Sequence, residues 1–176
     1  MGELMTKKPP ISEVDFINTS KNHRELSSKL RKLDIDSSNI EEYAKYICSK
    51  WYSLGLEHLS EAKKILPLGC DRSVYSRSYY AAYNASKATR YYNSGSVSLR
   101  GDDHTRASVD LPDDLTDVSS WVQVVSTLYE HRLRADYDNW ENSKQNSMTP
   151  VQAVEAADQF IEVCRLYLQE KFGVEL

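Results

Sequence analysis

Arg72, Arg77, Lys87, Arg90 and Arg100 mark a stretch that carries no Asp or Glu between Arg72 and Gly101. The same stretch holds six of the chain's twelve tyrosines: Tyr75, Tyr79, Tyr80, Tyr83, Tyr91 and Tyr92. Cations pair with phosphate oxygens and aromatic faces stack on unpaired bases, so the combination suits single-stranded RNA or a nucleotide. It equally suits a solvated basic face laid over a tyrosine-built core. On a helix, Tyr80, Asn84 and Lys87 lie close to one face, with Arg77 one turn before Tyr80. These four residues are the first candidate contacts for RNA or nucleotide.

A second polar cluster runs from His131 to Asp138, flanked by Tyr129 and Trp140. Arg132 and Asp136 stand at i, i+4 and can pair. Arg134 and Tyr137 add a further cation and ring. No metal site is expected, because none of the four histidines pairs with another His or Cys at ligand spacing. No cofactor is expected either: the chain has neither a glycine loop for phosphate nor a Gly-x-Ser-x-Gly elbow.

The elements that must position these groups read as helices. The chain has 176 residues and a net charge of -4, enough for one domain that buries roughly two-thirds of its unfolded surface. Such a charge is too mild for a general nucleic-acid coat, so any such site is local. Its three cysteines are widely spaced without a C-x-x-C pair. That argues against a disulfide framework or zinc ribbon and fits a reducing cytoplasm. Neither a membrane span nor an apolar signal core is apparent.

Residues 1–37 read as an N-terminal arm with a helical stretch around His23 to Lys32. Ser38 with Glu41 has capping-box spacing and opens a helix over about 39–66. Its stripe is Ala44, Ile47, Cys48, Trp51, Leu54, His58, Leu59, Ala62, Ile65 and Leu66. Gly55 costs that helix about 1 kcal/mol, which packing must offset. A second helix spans about 73–92, where Ala81, Ala85 and Ala88 permit close approach by a neighbour. Residues 93–117 read as a long polar connection with an acidic end, Asp110, Asp113, Asp114 and Asp117. A third helix follows to Tyr137. After a polar loop over 138–148, Thr149 and Pro150 start a fourth, with Val154, Ala157, Ile161, Cys164 and Leu168 as its stripe. The expected architecture is all-α: an antiparallel four-helix bundle over 38–173 with an N-terminal helical appendage.

The run Tyr75-Ser-Arg-Ser-Tyr-Tyr-Ala-Ala-Tyr-Asn-Ala-Ser-Lys-Ala88, together with Arg132-Leu-Arg-Ala-Asp-Tyr137, resembles the HEPN family of small helical domains. Gly101-Asp-Asp-His104 is similar to a His-bearing connection in one branch of it. The match covers about residues 40–170. This resemblance implies a four-helix bundle, often a homodimer with its groove at the seam, or a subunit of a larger complex. Many members are metal-independent ribonucleases of toxin–antitoxin or antiviral defence systems, and several are encoded beside a nucleotidyltransferase partner. The family's nuclease signature is an Arg followed, after four to six residues, by a His. This chain lacks it, since no His follows Arg132.

Three functions follow as expectations. The first is a HEPN-like module without catalysis that binds RNA, a nucleotide or a protein. The second is a metal-independent endoribonuclease with a rearranged catalytic set: Arg132 or Arg134 would hold the phosphate, His104 or His131 would move a proton, and Asp136 would orient the histidine. The third is an assembly subunit that docks through residues 1–37 and the acidic loop. All site readings require Tyr80 and Arg132, distant in sequence, to meet in one crevice.

Overall fold

The computed structural model describes residues 11–137 and 146–176, and among them every regular element is helical. The helices are α1 (Glu13–Ser20), α2 (His23–Lys32), α3 (Ser38–Ile65), α4 (Asp71–Ser94), α5 (Asp103–Val109), α6 (Val118–Tyr137) and α7 (Pro150–Phe172). A single 3₁₀ turn, Leu66–Leu68, separates α3 from α4. None of the described helices is long and apolar enough to cross a membrane.

Helix α4 lies at the centre and packs against α3, α5, α6 and α7. Named contacts fix the directions. Cys48 meets the carbonyl of Ala88 while His58 meets Arg77, so α3 and α4 run oppositely. Arg72 bonds the Ala135 carbonyl while Arg132 bonds Tyr80, so α6 also opposes α4. Tyr75 reaches Met148 just ahead of α7, and Tyr167 reaches Asn93, so α7 runs with α4. The small residues do what their spacing allows. Ala81, Ala85 and Ala88 are fully buried. A Cβ at Gly55 would lie 3.0 Å from the Ala81 carbonyl, so the two backbones touch where both helices lack bulk. That approach turns Tyr52 and Gly55 inward, while Leu54, expected in the stripe, is 39% exposed.

The start of α3 departs from the capping-box reading. Ser37, not Ser38, is the N-cap residue, and it makes no side-chain cap bond. Its hydroxyl donates to Glu41, which Arg31 also draws away. Asp36 takes over the cap: its carboxylate accepts the Ser38 amide at 2.9 Å and the Ser38 hydroxyl at 2.9 Å. Helix α7 follows its sequence signal, with a reciprocal box between Thr149 and Gln152 and its whole expected stripe buried.

The connection after α4 contains a helix, α5, that the sequence reading treats as loop. It buries Asp103, Ala107 and Ser108 rather than an apolar stripe, so it carries little periodic signal. Beyond it Leu111 and Leu115 are buried, and Asp114 of the acidic end bonds Lys171 and Tyr167.

The N-terminal arm is bonded to the C-terminus of α4. A helix end leaves its last carbonyls without partners. Here Asn22 donates to the Ser94 carbonyl at 2.8 Å, the His23 amide to Gly95 at 2.9 Å, and Arg24 Nε to Tyr92 at 2.6 Å. The His23 ring lies 3.3 Å from the Tyr91 carbonyl. Burial lowers the His23 pKa to about 4, so this ring is neutral near pH 7 and Nε2–H donates. Phe16 and Ile17 of α1 join the core, with Phe16 edge-on to Tyr43.

Gly95 sits at φ 85°, and a Cβ there would fall 2.1 Å from Asn22 Oδ1. Gly95→Ala therefore combines left-handed backbone strain with expulsion of Asn22 from its bonds. We expect a loss of about 2 kcal/mol in urea unfolding. A midpoint equal to that of the parent protein would show that α2 does not cap α4.

Candidate functional site

Helix α4 places Tyr79, Tyr80 and Tyr83 at adjoining positions, and α6 places Tyr129, Arg132 and Asp136 along one stripe. Helix α5 carries His104 onto them. The outcome is a cluster of rings with a guanidinium at its edge. Arg132 Nη2 donates to the Tyr80 hydroxyl at 3.0 Å, and its Nε lies 2.8 Å from the Asp136 carboxylate. The guanidinium carbon is 5.5 Å from the Tyr80 ring centre and 5.3 Å from that of Tyr137. Tyr137 is 72% exposed, so this end of the cluster faces solvent. Tyr80 and Arg132 thus meet across 52 residues of sequence.

His104 stacks on Tyr83 with ring centres 4.4 Å apart and an angle of 24°. Its Nδ1 lies 2.9 Å from the Tyr79 hydroxyl. Burial, then the positive charge of Arg132, lowers the His104 pKa. Burial raises that of Tyr79, so the phenol keeps its proton. A neutral imidazole accepting from Tyr79 carries its own proton on Nε2. The His104 ring is 6.0 Å from Tyr80, whose hydroxyl Arg132 holds, so Tyr80 touches both guanidinium and imidazole.

What fixes α5 in place is a buried ion pair. Arg90 on α4 forms a two-pronged bond to Asp103, Nη1 to Oδ1 at 2.9 Å and Nη2 to Oδ2 at 3.1 Å. Arg90 also donates to Ser86, and Tyr83 donates to Asp103 at 2.8 Å. Burial pushes the Asp103 carboxyl up, yet the bonds and charge of Arg90 hold it below the usual range. Asp103 is adjacent to His104, so the pair sets where the imidazole sits.

The remaining expected site residues divide between rim and interior. Arg77 is spoken for by α3, with its Nε 3.1 Å from Glu61 and its Nη1 3.1 Å from His58. Asn84 is buried against Gly55 and donates to the Tyr80 carbonyl of its own helix at 2.8 Å. Lys87 is largely buried beneath Trp51, 4.9 Å from its ring, and 3.7 Å from Asp103. Burial lowers its pKa, and Asp103 counters that shift. Arg134 reaches Asn146 at 3.5 Å. Asp136 pairs with Arg132 rather than a histidine. His131 is buried, and its Nε2 accepts the Met148 amide at 3.2 Å, so it closes the entry to α7. Asp138 and Trp140 lie outside the described residues.

Sequence reading missed Asp103, Arg90, Tyr79, Tyr83 and Tyr129 as members of this cluster. One signal pointed to the ion pair. A buried Arg at the far end of a helix whose one acid, Asp71, is in its first turn must draw its partner from elsewhere, and Asp102 and Asp103 are the first carboxylates after it. Among the described residues no group of three or more His, Cys, Asp or Glu is placed to hold a metal. No family model matches the chain, and no curated protein or solved structure matches it either.

Removing one partner of a buried pair strands the other charge. Asp103→Asn should cost about 3 kcal/mol in chemical unfolding. It should also free His104 from its stack on Tyr83, seen in NMR as loss of the ring-current shifts of the imidazole protons. Unchanged His104 ring shifts would show that the pair does not position it.

Proposed function

We propose that the chain is a HEPN-like antiparallel helical bundle that binds single-stranded RNA or a nucleotide at the α4–α5–α6 ring cluster without cleaving it. The observation that carries this reading is the Arg132 guanidinium, bonded to Tyr80 at one end of the cluster and lying over the exposed Tyr137. Its Nη1 makes no hydrogen bond among the described residues and is available to a phosphate. The pair with Asp136 is partly solvated and i, i+4, a class worth only a few tenths of a kcal/mol. A phosphate group can displace that carboxylate while Tyr137, Tyr80 and His104 offer ring faces to a base. Lys87 and Arg90 against the single carboxylate of Asp103 leave the neighbourhood positive, so phosphate approach is favoured.

Cleavage is disfavoured by the same geometry. Attack by a 2′-hydroxyl needs a base and a phosphate-stabilising cation on one reacting centre. Arg132 is held by Tyr80 and Asp136, and His104 Nδ1 is occupied by Tyr79. His131 is buried and engaged. A ribonuclease reading keeps one observation in its favour: His104 is held neutral, as a general base requires, and flanks the same phenol as Arg132.

Binding of a labelled single-stranded RNA and of a nucleoside triphosphate in EDTA, over a salt series, tests both readings. We expect affinity that falls as salt rises, at least tenfold weaker binding in Arg132→Gln, and severalfold weaker binding in Tyr137→Ala. The RNA should be recovered intact. Fragments ending in a 2′,3′-cyclic phosphate, lost in His104→Ala, would establish the ribonuclease. Absence of binding, or binding indifferent to salt and to both substitutions, would end the RNA and nucleotide readings.

A further inference from the structure

A cavity of about 370 Å³ lies between α2, the start of α3 and the end of α7, lined by His23, Arg24, Ser27, Ser28, Arg31, Glu41, Tyr92 and Phe172. That volume falls within the range of small-molecule sites, roughly 300–1,000 Å³. Its composition is unusual for a packing seam. A helix that docks on a core normally buries an apolar stripe, yet the residues α2 buries are His23 and Ser27.

Two features of the lining are incompletely matched. Arg24 donates through Nε to the Tyr92 carbonyl and lies 4.3 Å from the Phe172 ring centre. It pairs with no carboxylate among the described residues, whereas Arg31 is paired with Glu41. With His23 neutral, the cavity keeps one uncompensated positive charge. The second feature is Ser27, 3% exposed, whose hydroxyl makes no hydrogen bond. A helical Ser ordinarily bonds a carbonyl one turn back, and a buried hydroxyl left unpaired costs free energy. Ser27 lines the cavity, so this unpaired hydroxyl lies beside the space a ligand would fill.

We propose that this cavity binds a small molecule bearing one oxyanion group, a carboxylate or a phosphate. Arg24 supplies the charge, Ser27 and Ser28 donate hydrogen bonds, and the Tyr92 and Phe172 rings bound the apolar side. Glu41, facing the same space, favours a hydroxyl or amine on the ligand. The site is separate from the α4–α5–α6 cluster, and it stands whether or not that cluster binds RNA.

Titration of the whole protein with inorganic phosphate and, separately, with acetate, at constant ionic strength in chloride, tests it by amide NMR shifts. We expect saturable shifts in α2, at the start of α3 and at Phe172 for at least one anion. The arm that saturates at lower concentration identifies phosphate or carboxylate as the recognised group. Arg24→Gln should weaken that binding at least tenfold. Ser27→Ala should weaken it severalfold while the unliganded protein melts at the same or a higher temperature, because an unpaired hydroxyl is removed. Shifts that never saturate for either anion, or equal affinity in Arg24→Gln, would overturn the proposal. A drop in melting temperature for Ser27→Ala would overturn it too, since the hydroxyl would then have a structural partner.

Discussion

The fold depends on satisfying the polar groups that α4 carries into the interior. This helix is covered on most sides, yet it bears Arg90, a buried guanidinium, along with Asn84, Ser86 and Thr89. A buried charge without a partner costs several kcal/mol. The Arg90–Asp103 bond is therefore a constraint on everything after α4: the chain must bring a carboxylate back to this point. That requirement turns a polar connection into the short helix α5. It also closes the molecule with an ion pair where an apolar stripe would otherwise be needed.

The candidate site follows from the same constraint. Anchoring Asp103 places His104 against Tyr83 and Tyr79, and α6 completes the cluster with Tyr129 and Arg132. The innermost ring, Tyr79, is fully buried and contributes rigidity. Chemistry open to a ligand lies at the rim, in Tyr80, His104, Arg132 and Tyr137. The opposite end of α4 is organised by backbone rather than charge, since α2 supplies donors to its final carbonyls. One helix thus borders both the ring cluster, on one flank, and the cavity lined by Arg24, at its C-terminal end.

Helical periodicity was legible wherever apolar side chains make the contact. The all-α class, the α7 cap at Thr149 and the small-residue stripe of α4 could be read from spacing, though not that Gly55 of α3 is what meets that stripe. The meeting of Tyr80 with Arg132 came from resemblance, because nothing local in either segment points to the other. Polar burial was what spacing could not show. Lys87 and Asn84 look like surface residues in a basic, tyrosine-rich run, but the closeness of α3 and α5 turns them inward. Glu41 looks like a capping residue until Arg31, brought near by α2, takes its carboxylate. Helix α5 itself is held by Asp103, and an ion pair leaves no period in a sequence.

The central proposal is that one rim, formed by Tyr80, His104, Arg132 and Tyr137, would receive single-stranded RNA or a nucleotide. Side-chain NMR of the whole protein during titration with a short single-stranded RNA tests it most directly. The account predicts that ring signals of Tyr80, Tyr137 and His104 move together and saturate together, while those of the buried Tyr52 and Tyr91 stay fixed. Saturable shifts confined to other faces of the molecule, with these three rings unmoved, would contradict it.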